Sequence, residues 1–99
     1  MTLASLLVVA AALFSLGLYG VLARRQAIAV LLSIELMFNA VNLAVVSIAW
    51  SRGLLVGVVL VLFGIAITVA EAAVGLALVL LAARVRRTAV LDDLRDLSG

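Results

Sequence analysis

The chain predicts an all-α membrane protein with three transmembrane helices, its N-terminus outside and its C-terminus cytoplasmic. Three observations carry this reading. Hydrophobic residues make up 69% of 99 residues, more than a small soluble domain can hide given its high surface-to-volume ratio. Three apolar runs each reach the roughly 20 residues a helix needs to cross hydrocarbon. The arginines gather at the ends of those runs, never inside them. A mean hydropathy of +1.48 agrees, and the length suits a single membrane domain over residues 1–99.

The first span, about residues 3–23, carries no charge and stops at Arg24-Arg25-Gln26. Met1-Thr2 lacks the positive start of a signal peptide and the run exceeds a typical apolar signal core, so it is read as a span. The second covers about 27–50, with Glu35 its only charge, and ends at Ser51-Arg52-Gly53. The third covers about 54–83, with Glu71 its only charge. Wholly helical, it is about 45 Å long at ~1.5 Å per residue. That exceeds the roughly 30 Å hydrocarbon layer, so it must tilt or protrude. Residues 84–99 form a cytoplasmic tail of mixed charge. Val90, Leu91, Leu94 and Leu97 offer one edge of a short surface helix, but a solvated, partly frayed tail is the expectation unless a partner covers it. Barrel strands are excluded because they alternate apolar and polar residues, and these runs do not.

Orientation follows from charge. Arg24 and Arg25 share one side with Arg84, Arg86 and Arg87, whereas the opposite side holds only Arg52. The side richer in arginine is the cytoplasmic one or its topological equivalent. Trp50 and Tyr19 fall near span ends, where aromatic rings either anchor at the interface or pack on a neighbour. Cysteine and histidine are both absent. That removes disulfides, thiolate metal sites, iron–sulfur ligation and the commonest general base. The net charge of +2 reads as topology and not as nucleic-acid binding. No nucleotide loop or catalytic triad is present, so this chain alone holds no redox active site.

Two acids inside apolar runs are the features that carry chemistry. A carboxyl group in hydrocarbon costs at least a few kcal/mol, which makes it a functional candidate. Hydrocarbon disfavours a charged carboxylate, and a second one nearby disfavours it further. A carboxyl held in that balance gains and loses protons readily. Glu35, Asn39 and Asn42 fall within roughly 60° of arc on span two. Gly57, Gly64, Thr68, Glu71 and Gly75 do the same on span three, which marks that face as a helix contact. Counting from Arg25 and Arg84 sets both glutamates about 15–20 Å from the inner boundary. Amides and trapped water can complete a hydrogen-bonded path between such groups. Structural glue between helices is the competing role for the same residues.

Three stretches resemble one family. They are Gly17-Leu18-Tyr19-Gly20-Val21-Leu22-Ala23-Arg24-Arg25, Ile34-Glu35-Leu36-Met37-Phe38-Asn39-Ala40-Val41-Asn42-Leu43 and Ala70-Glu71-Ala72-Ala73-Val74-Gly75-Leu76-Ala77. The chain resembles the K subunit, 4L in mitochondria, of proton-pumping NADH:quinone oxidoreductase, respiratory complex I. Gln26 stands where that family often has asparagine. The resemblance implies a membrane-arm subunit beside the antiporter-like subunits and the J subunit, in a cell inner membrane or a mitochondrial one. It implies that Glu35 and Glu71 belong to a polar axis coupling quinone reduction to proton translocation, and that Arg24 and Arg25 form the basic loop linked to coupling. It places flavin, iron–sulfur clusters and quinone in other subunits. The small subunits of membrane-bound hydrogenases and of multisubunit cation/proton antiporters are neighbouring readings, though the antiporter subunit generally lacks this glutamate pair. A rotary ATPase ring subunit is usually a two-span hairpin and a small multidrug exporter has four spans, which sets both apart. A purely structural membrane scaffold is the last alternative.

Overall fold

The structure is a computed structural model that describes residues 2–98. These form three α-helices: α1 (Leu3–Ala23), α2 (Ala27–Ser51) and α3 (Leu55–Ser98). All three are long and apolar enough to cross a membrane. α1 opens on a reciprocal cap in which Thr2 Oγ1 accepts from Ser5 N–H at 3.2 Å and Ser5 Oγ accepts from Thr2 N–H at 3.0 Å. Two backbone donors that helix geometry would leave unpaired are thereby satisfied. α2 ends on a left-handed glycine, Gly53, at φ 65°. Leu54 N–H donates to Ala49 O at 2.9 Å and Gly53 N–H to Trp50 O at 3.2 Å. That pairing absorbs the last carbonyls of α2 and turns the chain directly into α3.

One expectation is corrected here. α3 does not give way to a frayed tail near residue 84 but continues to Ser98 as one helix of 44 residues. The cause is local: residues 76–98 contain neither glycine nor proline, and are dominated by Ala, Leu and Arg, all good helix formers. At ~1.5 Å per residue α3 is about 66 Å long, and it sets the 70 Å long axis of the molecule.

The helices stand in a row. α2 packs against both α1 and α3, while α1 and α3 do not meet among the described residues. α2 presents Ser33 and Met37 to Gly17 and Gly20 of α1, and Leu31, Asn42 and Ala49 to Gly75, Gly64 and Gly57 of α3. At about 100° per residue these two sets lie on opposite sides of α2. The outcome is a layer 15 Å across its thinnest direction, little more than one helix diameter. Its core is built from small side chains: Ala10, Ala40, Ala49 and Val61 are buried, with Ser47 and Thr68. Tyr19 and Trp50 are exposed, so neither ring is packed away inside this chain.

Candidate functional site

The α2–α3 seam has a single register. From the Gly57–Ala49 contact, seven residues along α3 and seven back along α2 lead to Gly64–Asn42. Eleven more on each helix lead to Gly75–Leu31. Glu71 lies four residues before Gly75 and Glu35 four after Leu31. The two carboxylic residues are therefore level with each other on neighbouring antiparallel helices.

Level does not mean face to face. Glu35 is half-buried, whereas Glu71 is exposed. Glu35 lies near the centre of the α2 face that α3 covers. On α3 the covered face is centred on Val61, Thr68 and Ala72, and Glu71 is displaced from that centre by about 70° at 100° per residue. Glu35 is thus partly covered within the layer, while Glu71 is open at its surface. The expected contact face of α3 is thus observed through its glycines and Thr68, while Glu71 sits at its edge, turned outward.

The polar neighbours divide in the same way. Thr68 is 8% exposed, and its hydroxyl donates to Gly64 O at 2.7 Å, not to the acid one turn away. The Thr68 oxygen keeps lone pairs with which to accept. Asn42 faces Gly64, where an added Cβ would stand 3.0 Å from Asn42 Oδ1. Its Nδ2 is buried without a hydrogen-bond partner, which in an apolar seam asks for water or a group from outside the chain. Asn39 is exposed. Neither glutamate carboxyl has a hydrogen bond or ion pair among the described residues. Arg24 and Arg25 are exposed in the α1–α2 connection. They lie ten or more residues from Glu35 and are no part of its surroundings. Among the described residues no group of three or more His, Cys, Asp or Glu could hold a metal ion.

Sequence reasoning passed over the α1–α2 contact. A Cβ on Gly17 would come within 2.7 Å of Ser33 O, and one on Gly20 would collide with Ser33 Oγ. Two glycines three residues apart, opposite a serine on the next helix, were the available signal for such close packing.

Residues 5–99 match the family described as NADH-ubiquinone/plastoquinone oxidoreductase chain 4L. The chain belongs to that family. The chain 4L relatives include NADH-quinone oxidoreductase subunit 11 of Thermus thermophilus, 52% identical over 96% of this chain and 99% of the relative. Subunit K of Myxococcus xanthus is 50% identical over 92% of this chain and 91% of its own length. Subunit K 2 of Streptomyces griseus is 57% identical over 90% of this chain, which spans 62% of that longer relative. The chain 4L resemblance seen in the three quoted stretches therefore extends over nearly the whole sequence.

Proposed function

We propose that this chain is a membrane-arm subunit of a proton-translocating NADH:quinone oxidoreductase, in which Glu35 and Glu71 pass protons between neighbouring subunits. The support is the level placement of two carboxyl groups across the α2–α3 seam, in a chain of the 4L family. In this reading Glu35 takes up a proton at the seam. Asn42, with its unpaired Nδ2, and Thr68, with its free lone pairs, hold water between the helices. Glu71 hands the proton to, or takes it from, a group on the subunit covering its flank. Because one carboxyl is half-buried in the layer and the other is exposed at its edge, transfer runs through water and through neighbours, not directly from acid to acid. Asn39, exposed beside Glu35, faces a neighbouring subunit. Arg24 and Arg25 hold the connecting loop on the cytoplasmic side, with the N-terminus outside and Arg52 opposite. The partners are the antiporter-like subunits and the J subunit. The redox groups lie elsewhere, since a chain without Cys or His offers no ligands to iron–sulfur clusters.

The deciding experiment is the double variant Glu35→Ala/Glu71→Ala in the assembled complex. Assembly should persist, because neither carboxyl is paired within the chain. Quinone-linked NADH oxidation and proton pumping should fall roughly ten-fold or more, at or below the usual scale for loss of a proton-transfer group. Pumping at the unmodified rate in a fully assembled double variant would reject the relay and leave a scaffold.

A further inference from the structure

Where α2 stops, the α3 face it covers continues bare. In the register of the seam, Ala27 at the start of α2 is level with Val79. The same face runs on through Ala82, Arg86 and Val90 at helical spacing. It forms the floor of a groove of about 720 Å³ that is also lined by Arg87 and bounded by Ala27. We propose that this groove binds an anionic phospholipid, its acyl chain along Val79 and Ala82 and its phosphate between Arg86 and Arg87.

Charge and depth select that occupant. The groove lining contains two guanidinium groups and no acid. The exposed Arg24 and Arg25 stand just before Ala27, at the same end of the layer. Asp92 and Asp93 lie a turn or more farther out along α3. Arg84 closes the apolar run, so Arg86 and Arg87 fall at headgroup depth while Leu78 and Val79 fall at acyl depth. This is the axial order of a phospholipid: apolar toward the bilayer centre, anionic at the boundary. Basic pockets between spanning helices recognise anionic headgroups in this way. Ala82 and Ala83, with short side chains, line the groove and keep it open to an acyl chain. The proposal requires that the chain lie in a membrane; it is independent of the proton relay.

The test uses the membrane complex captured through a tag on this chain and reconstituted in discs of phosphatidylcholine with a minor share of phosphatidylglycerol. Copies of retained lipid are counted by native mass spectrometry, with NADH oxidation followed in parallel. Each arginine near an anionic headgroup is worth about five-fold in affinity, so Arg86→Gln/Arg87→Gln should lower affinity for phosphatidylglycerol ~25-fold. Phosphatidylcholine retention should not change. Arg86→Lys/Arg87→Lys should retain the lipid, and Ala82→Trp should expel it with both charges present. Equal phosphatidylglycerol retention by the wild type and the glutamine pair would overturn the proposal. So would a photoreactive residue at position 82 that cross-links a neighbouring protein subunit in place of lipid.

Discussion

Asn42 is where a single side chain separates packing from proton handling. An amide that serves as interhelical glue loses hydrogen bonds when replaced, and its loss destabilises the seam. The Nδ2 of Asn42 makes no hydrogen bond in this chain. Replacing a buried, unpaired polar group by an apolar one of similar shape is near neutral for stability. Asn42→Leu should therefore leave the thermal stability of the assembled complex within about 1 kcal/mol, while proton pumping per NADH falls. A large drop in the thermal midpoint, with coupling kept among the surviving complexes, would return Asn42 to a structural role. The neighbouring glycine gives the complementary test. A side chain at Gly64 must displace Asn42, so Gly64→Val should cost roughly 1–3 kcal/mol as overpacking, and scanning calorimetry should register it. Glu35 and Glu71 show what residue patterns can and cannot carry. Their level placement followed from counting along helices of fixed rise, because rise is a property of the backbone. Their unequal exposure did not, because it depends on the angular centre of the α3 contact, which buried Val61 and Thr68 and half-buried Ala72 reveal only once α2 is in place.

At the scale of elements, the two seams differ in how openly they are written. The α3 face was visible as Gly57, Gly64, Thr68 and Gly75 on one arc, and the structure sets all three glycines against α2. The α1 face was not, since the run holding Gly17 and Gly20 has no acid or amide to mark a side. Their role follows from Ser33: its hydroxyl donates to Ala29 O at 2.8 Å, which folds it back onto α2 and lets α1 approach. Gly20→Ala should push the helices apart, and Ser33→Gly should relieve the collision. A double-mutant cycle on assembly yield or thermal stability should show a favourable coupling of about 0.5–3 kcal/mol between these positions. Simple additivity would mean that the two positions do not touch. The starts and ends of α1 and α2 were legible because charges and Gly53 interrupt apolar runs. The far end of α3 was not: the end of an apolar run marks a change of surroundings, and a helix crosses it freely when no residue breaks the backbone pattern. Arg84 therefore marks a boundary on α3, not its terminus.

For the whole molecule, a row of helices one layer thick leaves most large apolar side chains exposed, from Val8 and Leu22 to Phe63 and Leu81. Among the described residues only Gly, Ala, Ser, Thr and Val are buried. Lipid and neighbouring subunits must supply the remaining contacts, and how the layer is oriented decides which neighbours each glutamate can meet. The arginine distribution predicts that orientation, with residues 24–25 and 84–87 cytoplasmic and Arg52 outside. The absence of cysteine makes the prediction directly measurable, because an introduced thiol is the sole label site on the chain. In intact cells, Arg52→Cys should react with a membrane-impermeant maleimide, whereas Thr88→Cys should react only after permeabilisation. Both positions are exposed, so access depends on the side of the membrane and not on packing within the chain. Arg24→Glu/Arg25→Glu should then either weaken that pattern, by removing part of the positive bias, or keep it and lower coupled NADH oxidation. Labelling of Thr88→Cys from outside in intact cells, with Arg52→Cys protected, would invert the topology. An unaltered pattern together with full activity in the reversed-charge variant would remove the loop from both topology and coupling.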